Sequence, residues 1–265
     1  MTEWLELCRA AVGDVEAVLA RMPTRAEREP VVGQGLGGDE TTAVDQAAED
    51  VILERIRESA GAIVSEEVGR VGGGALPLLV VDPIDGSLNA KRGIPFFSLS
   101  IAVAQGETMD DVVFGFVHDF GSGEEWTARR GEGAWLNGEP LGTERPKDEI
   151  EILSFEATRT SLVAREAPKV ADLAYRLRIM GSLALSLCHL AAGRVDAVCS
   201  LKAARSVDIA AAQLLCRELG LAADLFDVEE PFGAAPLDLE QRSRVVAAGS
   251  EPVCRRLAAA LRGDA

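Results

Sequence analysis

Two aspartates three positions apart directly follow an apolar run at residues 78–81, within the sequence DPIDGS at residues 82–87. The proline between them requires an extended or turn conformation, so the carboxylates of Asp82 and Asp85 can leave a strand end on one side. The backbone carbonyl of Ile84 lies between them in sequence. Hard cations such as Mg²⁺ prefer oxygen ligands of this kind. The segment therefore indicates a metal site at the end of a strand.

The same segment offers a place for a phosphate. If Gly86 and Ser87 open a helix or a turn, they present backbone N–H groups to an anion. Asp-Pro and Asp-Gly are also common turn pieces, and either dipeptide alone would indicate only a turn. An apolar strand that runs into both of them is more specific, particularly when further acids occur elsewhere in the chain.

Other segments also place acids at the ends of predicted elements. Asp39 and Asp45 flank a pair of threonines at the start of a predicted helix, where capping and the helix dipole alone would favour such residues. Glu66 and Glu67 end a short apolar run, as they also would in a solvated turn. Asp208 lies near the start of an apolar helix, where an acid is common. Each segment alone has an ordinary structural explanation, and their combination indicates a metal site.

Together these segments resemble the inositol monophosphatase superfamily of magnesium-dependent, lithium-sensitive phosphatases. The family order is a metal-site aspartate, a Glu-Glu pair, the DPIDGS run and an aspartate followed by x-A-A, here at 208–211. The run at 130–138 resembles the glycine-rich hairpin of the family, and the resemblance extends over about residues 36–250. The run at 85–96 is similar to the archaeal branch, whose members often hydrolyse both fructose 1,6-bisphosphate and inositol phosphate.

The resemblance implies an α+β fold, a layered αβαβα sandwich of the sugar-phosphatase type. It implies a homodimer and hydrolysis of a phosphate ester by water that two or three Mg²⁺ ions activate, with Mn²⁺ as an alternative metal. In that scheme Ser87 and Glu66 orient the water, Asp45 holds Ser87, and Asp39 orders water on a third ion. The implied metal ligands are Glu66, Asp82, the carbonyl of Ile84, Asp85 and Asp208.

The substrate side departs from the family pattern in two places. The tryptophan that usually precedes the last metal aspartate is Val207 here, and segment 200–205 has no acid to bind inositol hydroxyls. Lys202 or Arg205 could instead contact a second phosphate, which favours a bisphosphate sugar, although a solvated basic pair is the other interpretation. The predicted substrate contacts are Gly86, Ser87, Arg176, Arg178, Gly181, Ser182, Lys202 and Arg205.

Helices and strands are mixed along the chain that must position these residues. Helical spacing of apolar residues predicts helices at 3–20, 43–59, 167–175, 183–192, 207–218 and 252–262. Short apolar runs predict strands at 62–65, 76–81, 97–104, 112–117, 125–128, 152–156, 178–180, 195–200 and 245–248. Residues 23–38 are predicted to form a mobile loop. A boundary near 143–150 predicts a metal-site domain at 1–145 and a second domain at 146–265 that completes the site.

The chain is strongly acidic, with 43 Asp and Glu against 27 Lys and Arg and a net charge of −16 at pH 7. Such a charge argues against nucleic acid as a partner, because a phosphate backbone requires a basic surface. A small phosphate ester would also be repelled unless bound cations reversed the field locally. A salty cytoplasm or a GC-rich genome would also explain the acidity, which the charge alone does not decide.

Cysteine usage and hydropathy indicate the cellular compartment. The five cysteines are scattered, as expected for reduced thiols. No apolar run approaches the roughly 20 residues that span a bilayer, and the N-terminus has no signal-peptide pattern. We therefore expect a cytoplasmic protein with no membrane partner.

Other classes of protein are less well supported by the sequence. Residues Gly33–Gly38 match the GxGxxG dinucleotide fingerprint, but only Pro30, Val31 and Val32 stand where a buried strand should precede it. No segment supplies an EF-hand loop, and two isolated histidines give little support for a Ser-His-Asp triad. Among phosphatases of the same fold, NADP and 3′-phosphoadenosine phosphates remain alternative substrates.

Overall fold

The computed structural model describes residues 2–38, 40–156 and 159–263, in which helices and strands are mixed along the chain. The helices are α1 (Thr2–Arg21), α2 (Arg25–Arg28), α3 (Ala43–Ile56), α4 (Ser87–Arg92), α5 (Thr160–Glu166), α6 (Leu183–Ala191), α7 (Ser206–Glu218) and α8 (Glu251–Arg262). The strands are β1 (Val31–Gln34), β2 (Glu40–Thr42), β3 (Ala62–Ser65), β4 (Gly69–Gly72), β5 (Leu78–Asp85), β6 (Ser98–Ala104), β7 (Val112–Asp119), β8 (Glu125–Arg129), β9 (Gly133–Leu136), β10 (Glu139–Pro140), β11 (Ile150–Glu156), β12 (Ala174–Arg178), β13 (Ala197–Ser200), β14 (Ala222–Leu225) and β15 (Val245–Ala248).

The larger sheet brings two of the predicted acidic segments together. In the described residues it has eight strands in the order β10-β9-β8-β7-β6-β5-β3-β4. Strands β3 and β5 run parallel, and Ser65 at the end of β3 is the register partner of Val81 in β5. Glu66 directly follows Ser65, and Asp82 directly follows Val81. Because the paired parallel strands run in the same direction, these two acids lie side by side at the same edge of the sheet.

The smaller sheet has five strands in the described chain, in the order β12-β11-β13-β15-β14. Strand β11 is parallel to both β12 and β13, while β15 is antiparallel to β13 and β14. Glu156 and Ser200, which end β11 and β13, are register partners. The parallel pair therefore places the carboxylate of Glu156 and the hydroxyl of Ser200 at one edge of this sheet.

The two sheets and the helices stack in five layers. Alternate residues of a strand point to opposite faces, so Val80 of β5 belongs to the core that contains α6 and α7, while Leu79 packs with α1 and α3. In the smaller sheet Val198 faces the α6–α7 layer, and Cys199 packs with α8. The order is therefore α1/α3, larger sheet, α6/α7, smaller sheet, α8, which confirms the predicted αβαβα sandwich.

Helices α6 and α7 are apolar on nearly all sides because a sheet covers each of their faces. The approach of α7 to the larger sheet is close enough to require glycine at residue 115. A Cβ atom there would lie 2.5 Å from the carbonyl oxygen of Ala211. This packing fixes the position of Asp208 in the first turn of α7.

Most predicted elements are present, with differences at their ends and in one segment. The strand predicted to end at residue 81 continues through Asp85, and the predicted 23–38 loop contains α2 and strand β1. The helix predicted at 167–175 is wrong: 167–170 forms a short 3₁₀ turn after α5, and an edge strand begins at Ala174. The chain passes from the larger sheet to the smaller sheet between β10 and β11, which is where the boundary at 143–150 was predicted. The division into two domains at residue 146 stays a prediction.

None of the helices in the described ranges combines the length and the hydropathy needed to cross a membrane.

Candidate active site

The acids predicted from separate segments line one cavity of about 490 Å³. Glu66 and Asp82 reach the cavity from the edge where β3 and β5 lie side by side. Asp85 is the last residue of β5, and Asp208 lies in the first turn of α7. The other predicted site residues on its wall are Asp45, Ile84, Gly86, Ser87, Gly181, Lys202 and Arg205. Asp39 lies outside the described residues. The structure thus brings together residues from both halves of the chain.

Burial and mutual repulsion raise the pKa values of several carboxylates on the cavity wall, and three of these are predicted metal ligands. Burial raises the pKa of Asp82 well above its ordinary value, and the charges of Glu66 and Asp85 add to the effect. Burial likewise raises the pKa of Glu66, although Arg205 opposes the change. Burial raises the pKa of Asp85 to about 7, against the hydrogen bond from Ser182. Such a cluster favours a bound cation.

Asp85 is held by the N-terminus of α6. The Ser182 hydroxyl donates to Asp85 Oδ2 at 2.5 Å, and the amide of Ala184 donates to the same oxygen at 2.7 Å. Ser182 also caps α6, since it accepts a hydrogen bond from the amide of Leu185 at 3.2 Å. Ser182 was predicted to contact substrate; in this structure it orients a predicted metal ligand instead.

A guanidinium group lies among the carboxylates. Arg205 Nη2 is 2.6 Å from Glu66 Oε1 and 2.8 Å from Asp208 Oδ1. The backbone amide of Arg205 donates to Asp208 Oδ2 at 2.6 Å. These contacts place the predicted substrate residue Arg205 against two predicted metal ligands.

Asp45 makes a different contact from the one expected. Its Oδ2 accepts hydrogen bonds from the hydroxyl of Thr42 at 2.5 Å and from the amide of Thr42 at 3.1 Å, which closes a capping box at the start of α3. The Ser87 hydroxyl donates to the carbonyl of Ile84 at 3.0 Å. The expected bond between Ser87 and Asp45 is therefore not formed, because each side chain is bonded to its own local turn. Asp45 Oδ1 is buried and has no hydrogen-bond partner in the described structure.

Glycine is required at the start of α4. Gly86 adopts a left-handed conformation with φ of 95°, and a Cβ atom there would lie 3.1 Å from the carbonyl oxygens of Gly181 and Phe96. The side chain of Asn89 donates to the carbonyls of Phe96 and Met180 at 2.8 and 2.7 Å. These contacts join the DPIDGS turn to the segment before α6.

Two of the predicted substrate residues lie on an edge strand and do not line the cavity. Arg176 and Arg178 lie on β12, the exposed edge strand of the smaller sheet. Arg176 stacks on the ring of Tyr175 at 4.3 Å, and Arg178 donates to the carbonyl of Leu177. An edge strand turned toward solvent explains their separation from the site.

Glu156 is a buried carboxylate on the cavity wall that is absent from the residues predicted from sequence. It accepts hydrogen bonds from the amide of Gly181 at 2.8 Å and from the hydroxyls of Ser154 and Ser186, both at 2.8 Å. Glu156 thereby supports the turn that carries Ser182. Its signal was present in the sequence, because it ends an apolar strand just as Glu66 and Asp82 do.

The loop with the GxGxxG pattern does not have the dinucleotide-binding geometry. Strand β1 is exposed along its length and pairs antiparallel with β2, so no buried strand feeds a helix there. The amides of Leu36 and Gly37 donate to the carbonyls of Glu67 and Glu66, both at 2.9 Å. This loop is therefore packed on the acidic turn of the site.

The donor set fits a hard divalent cation in composition but not in its present arrangement. Carboxylates with raised pKa values and the buried, unpartnered Oδ1 of Asp45 suit Mg²⁺. In the described residues, however, no three Asp, Glu, His or Cys side chains are grouped closely enough to hold a metal ion. Arg205 holds two of the predicted ligands and Ser182 holds a third, so metal binding requires these contacts to be exchanged.

Residues 3–263 match the sequence profile of the inositol monophosphatase family. The chain belongs to this family. Membership confirms the predicted resemblance and the prediction of a phosphoric monoester hydrolase.

Similar proteins agree with this membership. A protein from Thermococcus kodakarensis named fructose-1,6-bisphosphatase/inositol-1-monophosphatase is 34% identical over 218 residues, which is 82% of this chain and 82% of the relative. A crystal structure described as an inositol monophosphatase-fructose 1,6 bisphosphatase has a TM-score of 0.84 and 28% identity, and covers 97% of this chain and 99% of its own. A bifunctional NADP phosphatase/NAD kinase from Methanocaldococcus jannaschii is 28% identical over 253 residues, which is 82% of this chain and 43% of the relative.

Proposed function

We propose that the chain is a Mg²⁺-dependent phosphomonoesterase that hydrolyses fructose 1,6-bisphosphate, inositol monophosphate or both. The observation that carries this proposal is the convergence of Glu66, Asp82, Asp85 and Asp208 on one cavity. The name of the relative from Thermococcus kodakarensis supports the choice of substrates.

The same four carboxylates, together with the carbonyl of Ile84, would hold Mg²⁺. When bound, Mg²⁺ would neutralise phosphate oxygens and lower the pKa of a water molecule. Burial raises the pKa of Asp82 and of Asp85, so carboxyl groups protonated at these positions would release protons as they take up a cation. The negative field of the whole chain then no longer repels an anionic substrate at this point.

Asp45 would accept a proton or orient water. Its Oδ2 is fixed by Thr42, while its Oδ1 is a buried acceptor without a partner in the described structure. A carboxylate fixed at one oxygen and open at the other is suited to general-base chemistry. Thr42, rather than Ser87, is the residue that holds it.

The substrate phosphates would be bound by the turn at 86–87 and by nearby lysine side chains. Gly86 and Ser87 line the cavity at the start of α4, and Lys91 of the same helix and Lys202 also line it. Two lysines and the absence of an acid in segment 200–205 favour a sugar with two phosphates.

A phosphatase that acts on NADP is the second candidate. The specific support is the similarity to the protein from Methanocaldococcus jannaschii that is named an NADP phosphatase. The chain covers 43% of that relative, so the similarity does not extend to the whole bifunctional protein.

Release of inorganic phosphate from a panel of substrates tests both candidates. The panel contains fructose 1,6-bisphosphate, inositol 1-phosphate, NADP⁺ and 3′-phosphoadenosine 5′-phosphate, each with Mg²⁺, Mn²⁺ or EDTA. We expect EDTA to stop hydrolysis of every active substrate and fructose 1,6-bisphosphate to give the highest kcat/KM. A preference for NADP⁺ would select the second candidate, and activity in EDTA would contradict the metal-dependent mechanism. Lithium inhibition, the homodimer and the cytoplasmic location stay predictions.

A further inference from the structure

The side chain of Arg205 bridges two acids that come from different layers of the fold. Its Nη2 atom lies 2.6 Å from Glu66 Oε1 and 2.8 Å from Asp208 Oδ1, and its Nε donates to Asp208 Oδ2 at 3.2 Å. Glu66 follows a strand of the larger sheet, whereas Asp208 belongs to α7. With a side-chain exposure of 9%, the guanidinium is largely removed from solvent. The arrangement is therefore a buried ion-pair network rather than a surface contact.

The surrounding chain is shaped to hold this group. A Cβ atom on Gly37 would collide with Arg205 Nη1, so the glycine leaves the space that the guanidinium uses. The amide of Gly37 donates to the carbonyl of Glu66 at 2.9 Å, which keeps the loop over the ion pair. The loop, the acidic turn and the arginine are thus packed as one unit.

The main chain of Arg205 is anchored independently of its side chain. Its amide donates to Asp208 Oδ2 at 2.6 Å, and the neighbouring residue Ala204 bonds to the carbonyl of Ser243 at 2.7 Å. The guanidinium can therefore leave the carboxylates without loss of the α7 cap or of the β-bridge beside it.

Glu66 and Asp208 are the same carboxylates that the proposed function gives to the metal. An oxygen that accepts a charge-assisted hydrogen bond from Arg205 cannot also coordinate Mg²⁺ along the same lone pair. A guanidinium and a metal ion held by the same carboxylates would also repel each other in a poorly solvated cavity. The guanidinium and a metal ion would therefore compete for the oxygens of Glu66 and Asp208.

We propose that Arg205 is a tethered counter-cation that competes with the divalent metal for Glu66 and Asp208. The inference rests on the metal site of the proposed function and adds a residue that sets its affinity. Without metal, the positive charge of Arg205 balances the negative charges of Glu66 and Asp208 and stabilises the site. The metal must displace it, so the concentration of metal needed to load the site is higher than the carboxylates alone would require.

Isothermal titration calorimetry of EDTA-treated, desalted protein with MnCl₂ tests the competition between Arg205 and the metal. Arg205→Gln removes the competing charge, and we expect Mn²⁺ to bind about five- to tenfold more tightly than to the wild type. Arg242→Gln is the matched control, because Arg242 donates to the carbonyls of Gly37 and Leu239 beside the same loop. It removes one positive charge nearby and measures the general electrostatic effect, which we expect to be below about twofold.

Arg205→Lys keeps the charge but cannot bridge both acids, and we expect an affinity between those of the wild type and Arg205→Gln. This variant also keeps the proposal testable if Arg205→Gln does not fold. Mn²⁺ binding by Arg205→Gln that is equal to or weaker than that of Arg242→Gln, or binding by Arg205→Lys that is no tighter than that of the wild type, would overturn the proposal and make Arg205 a residue that positions the ligands.

Thermal unfolding provides a readout that does not depend on activity. In EDTA, Arg205→Gln should unfold at a lower temperature than the wild type, because its acids have lost their counter-cation. With saturating Mn²⁺ the increase in Tm should be larger for the variant than for the wild type. An equal increase would contradict the competition. A wild type that binds no divalent ion would refute the proposed function itself, whereas unchanged affinity in the variants would refute only the role of Arg205.

Discussion

Asp85 shows how a single residue of the site depends on both sheets. It ends β5 of the larger sheet, yet its Oδ2 atom is held by Ser182 and Ala184 at the start of α6. Glu156 of the smaller sheet in turn holds the amide of Gly181. A predicted metal ligand is therefore oriented by a chain of hydrogen bonds that reaches the other sheet, and a change in that chain should affect the metal before it affects the fold.

Ser182→Ala should weaken metal binding, because Asp85 loses one of its two donors. We expect about a tenfold loss of Mn²⁺ affinity by isothermal titration and a loss of about 1 kcal/mol in the free energy of unfolding, since α6 also loses its cap. Ser250→Ala, at the start of α8, is the control, and its Mn²⁺ affinity should equal that of the wild type. A Ser182→Ala protein with unchanged metal affinity would show that Ser182 is only a helix cap.

His189 lies in an aromatic cluster, and we expect it to make stability sensitive to acid. Its ring stacks on Phe96 and meets Trp126 edge to face. Burial lowers the pKa of His189 below its ordinary value of 6.5, and the charge of Arg194 adds to the effect. As the pH falls through 6.5 the unfolded chain takes up a proton before the folded protein does, so stability decreases until the pH reaches the lowered pKa of the folded state.

We predict that His189→Phe, which preserves the ring contacts, reduces this loss. The free energy of unfolding in urea, measured at pH 8 and pH 5.5 in EDTA, should fall less for the variant than for the wild type. Parallel losses in the two proteins would exclude His189 as the source of the acid sensitivity.

At the scale of elements, parallel pairing explains why the site could be predicted from sequence. Acids that directly follow apolar runs are visible in the sequence, and the pairing of β3 with β5 places Glu66 and Asp82 at the same edge. Glu156 has the same signal and was missed because no motif drew attention to it. The proposed ligand set therefore rests on these local patterns together with the family resemblance.

Other features depend on contacts that no local pattern encodes. The bridge from Arg205 to Glu66 joins segments far apart in sequence, and it depends on the packing of α7 against the larger sheet. Strand β1 has four exposed residues, so it lacks the alternation that marks a half-buried strand. The helix wrongly predicted at 167–175 contains apolar residues that instead serve a 3₁₀ turn and an edge strand.

Gly115 is the element-scale position where packing should be least tolerant. Gly115→Ala places a Cβ atom 2.5 Å from the carbonyl oxygen of Ala211, so β7 and α7 must separate. We expect a loss of about 1–3 kcal/mol in the free energy of unfolding in urea. Gly13→Ala is the control, because a Cβ atom there meets nothing within 4 Å and the residue lies in α1. That variant should gain up to about 1 kcal/mol through helix propensity, and equal effects of the two substitutions would contradict the close packing of α7.

At the scale of the whole molecule, the five layers explain how an acidic chain can serve an anionic substrate. The net charge of −16 is spread over the chain, while the cavity gathers Glu66, Asp82, Asp85 and Asp208 where the larger sheet meets the α6–α7 layer. Divalent cations bound there would reverse the local field, and the lysines at residues 91 and 202 would add to it. The charge of the molecule and the charge of its site are therefore separate properties.

The decisive measurement is phosphate release from fructose 1,6-bisphosphate by EDTA-treated protein before and after Mg²⁺ is added back. We predict activity in the wild type only with Mg²⁺, and a loss of at least about 100-fold in kcat/KM for Asp85→Asn at every Mg²⁺ concentration. Asp50→Asn, which changes an exposed aspartate of α3, should behave as the wild type. Hydrolysis that continues in EDTA, or that survives Asp85→Asn at the level of Asp50→Asn, would contradict a mechanism in which these carboxylates hold the catalytic metal.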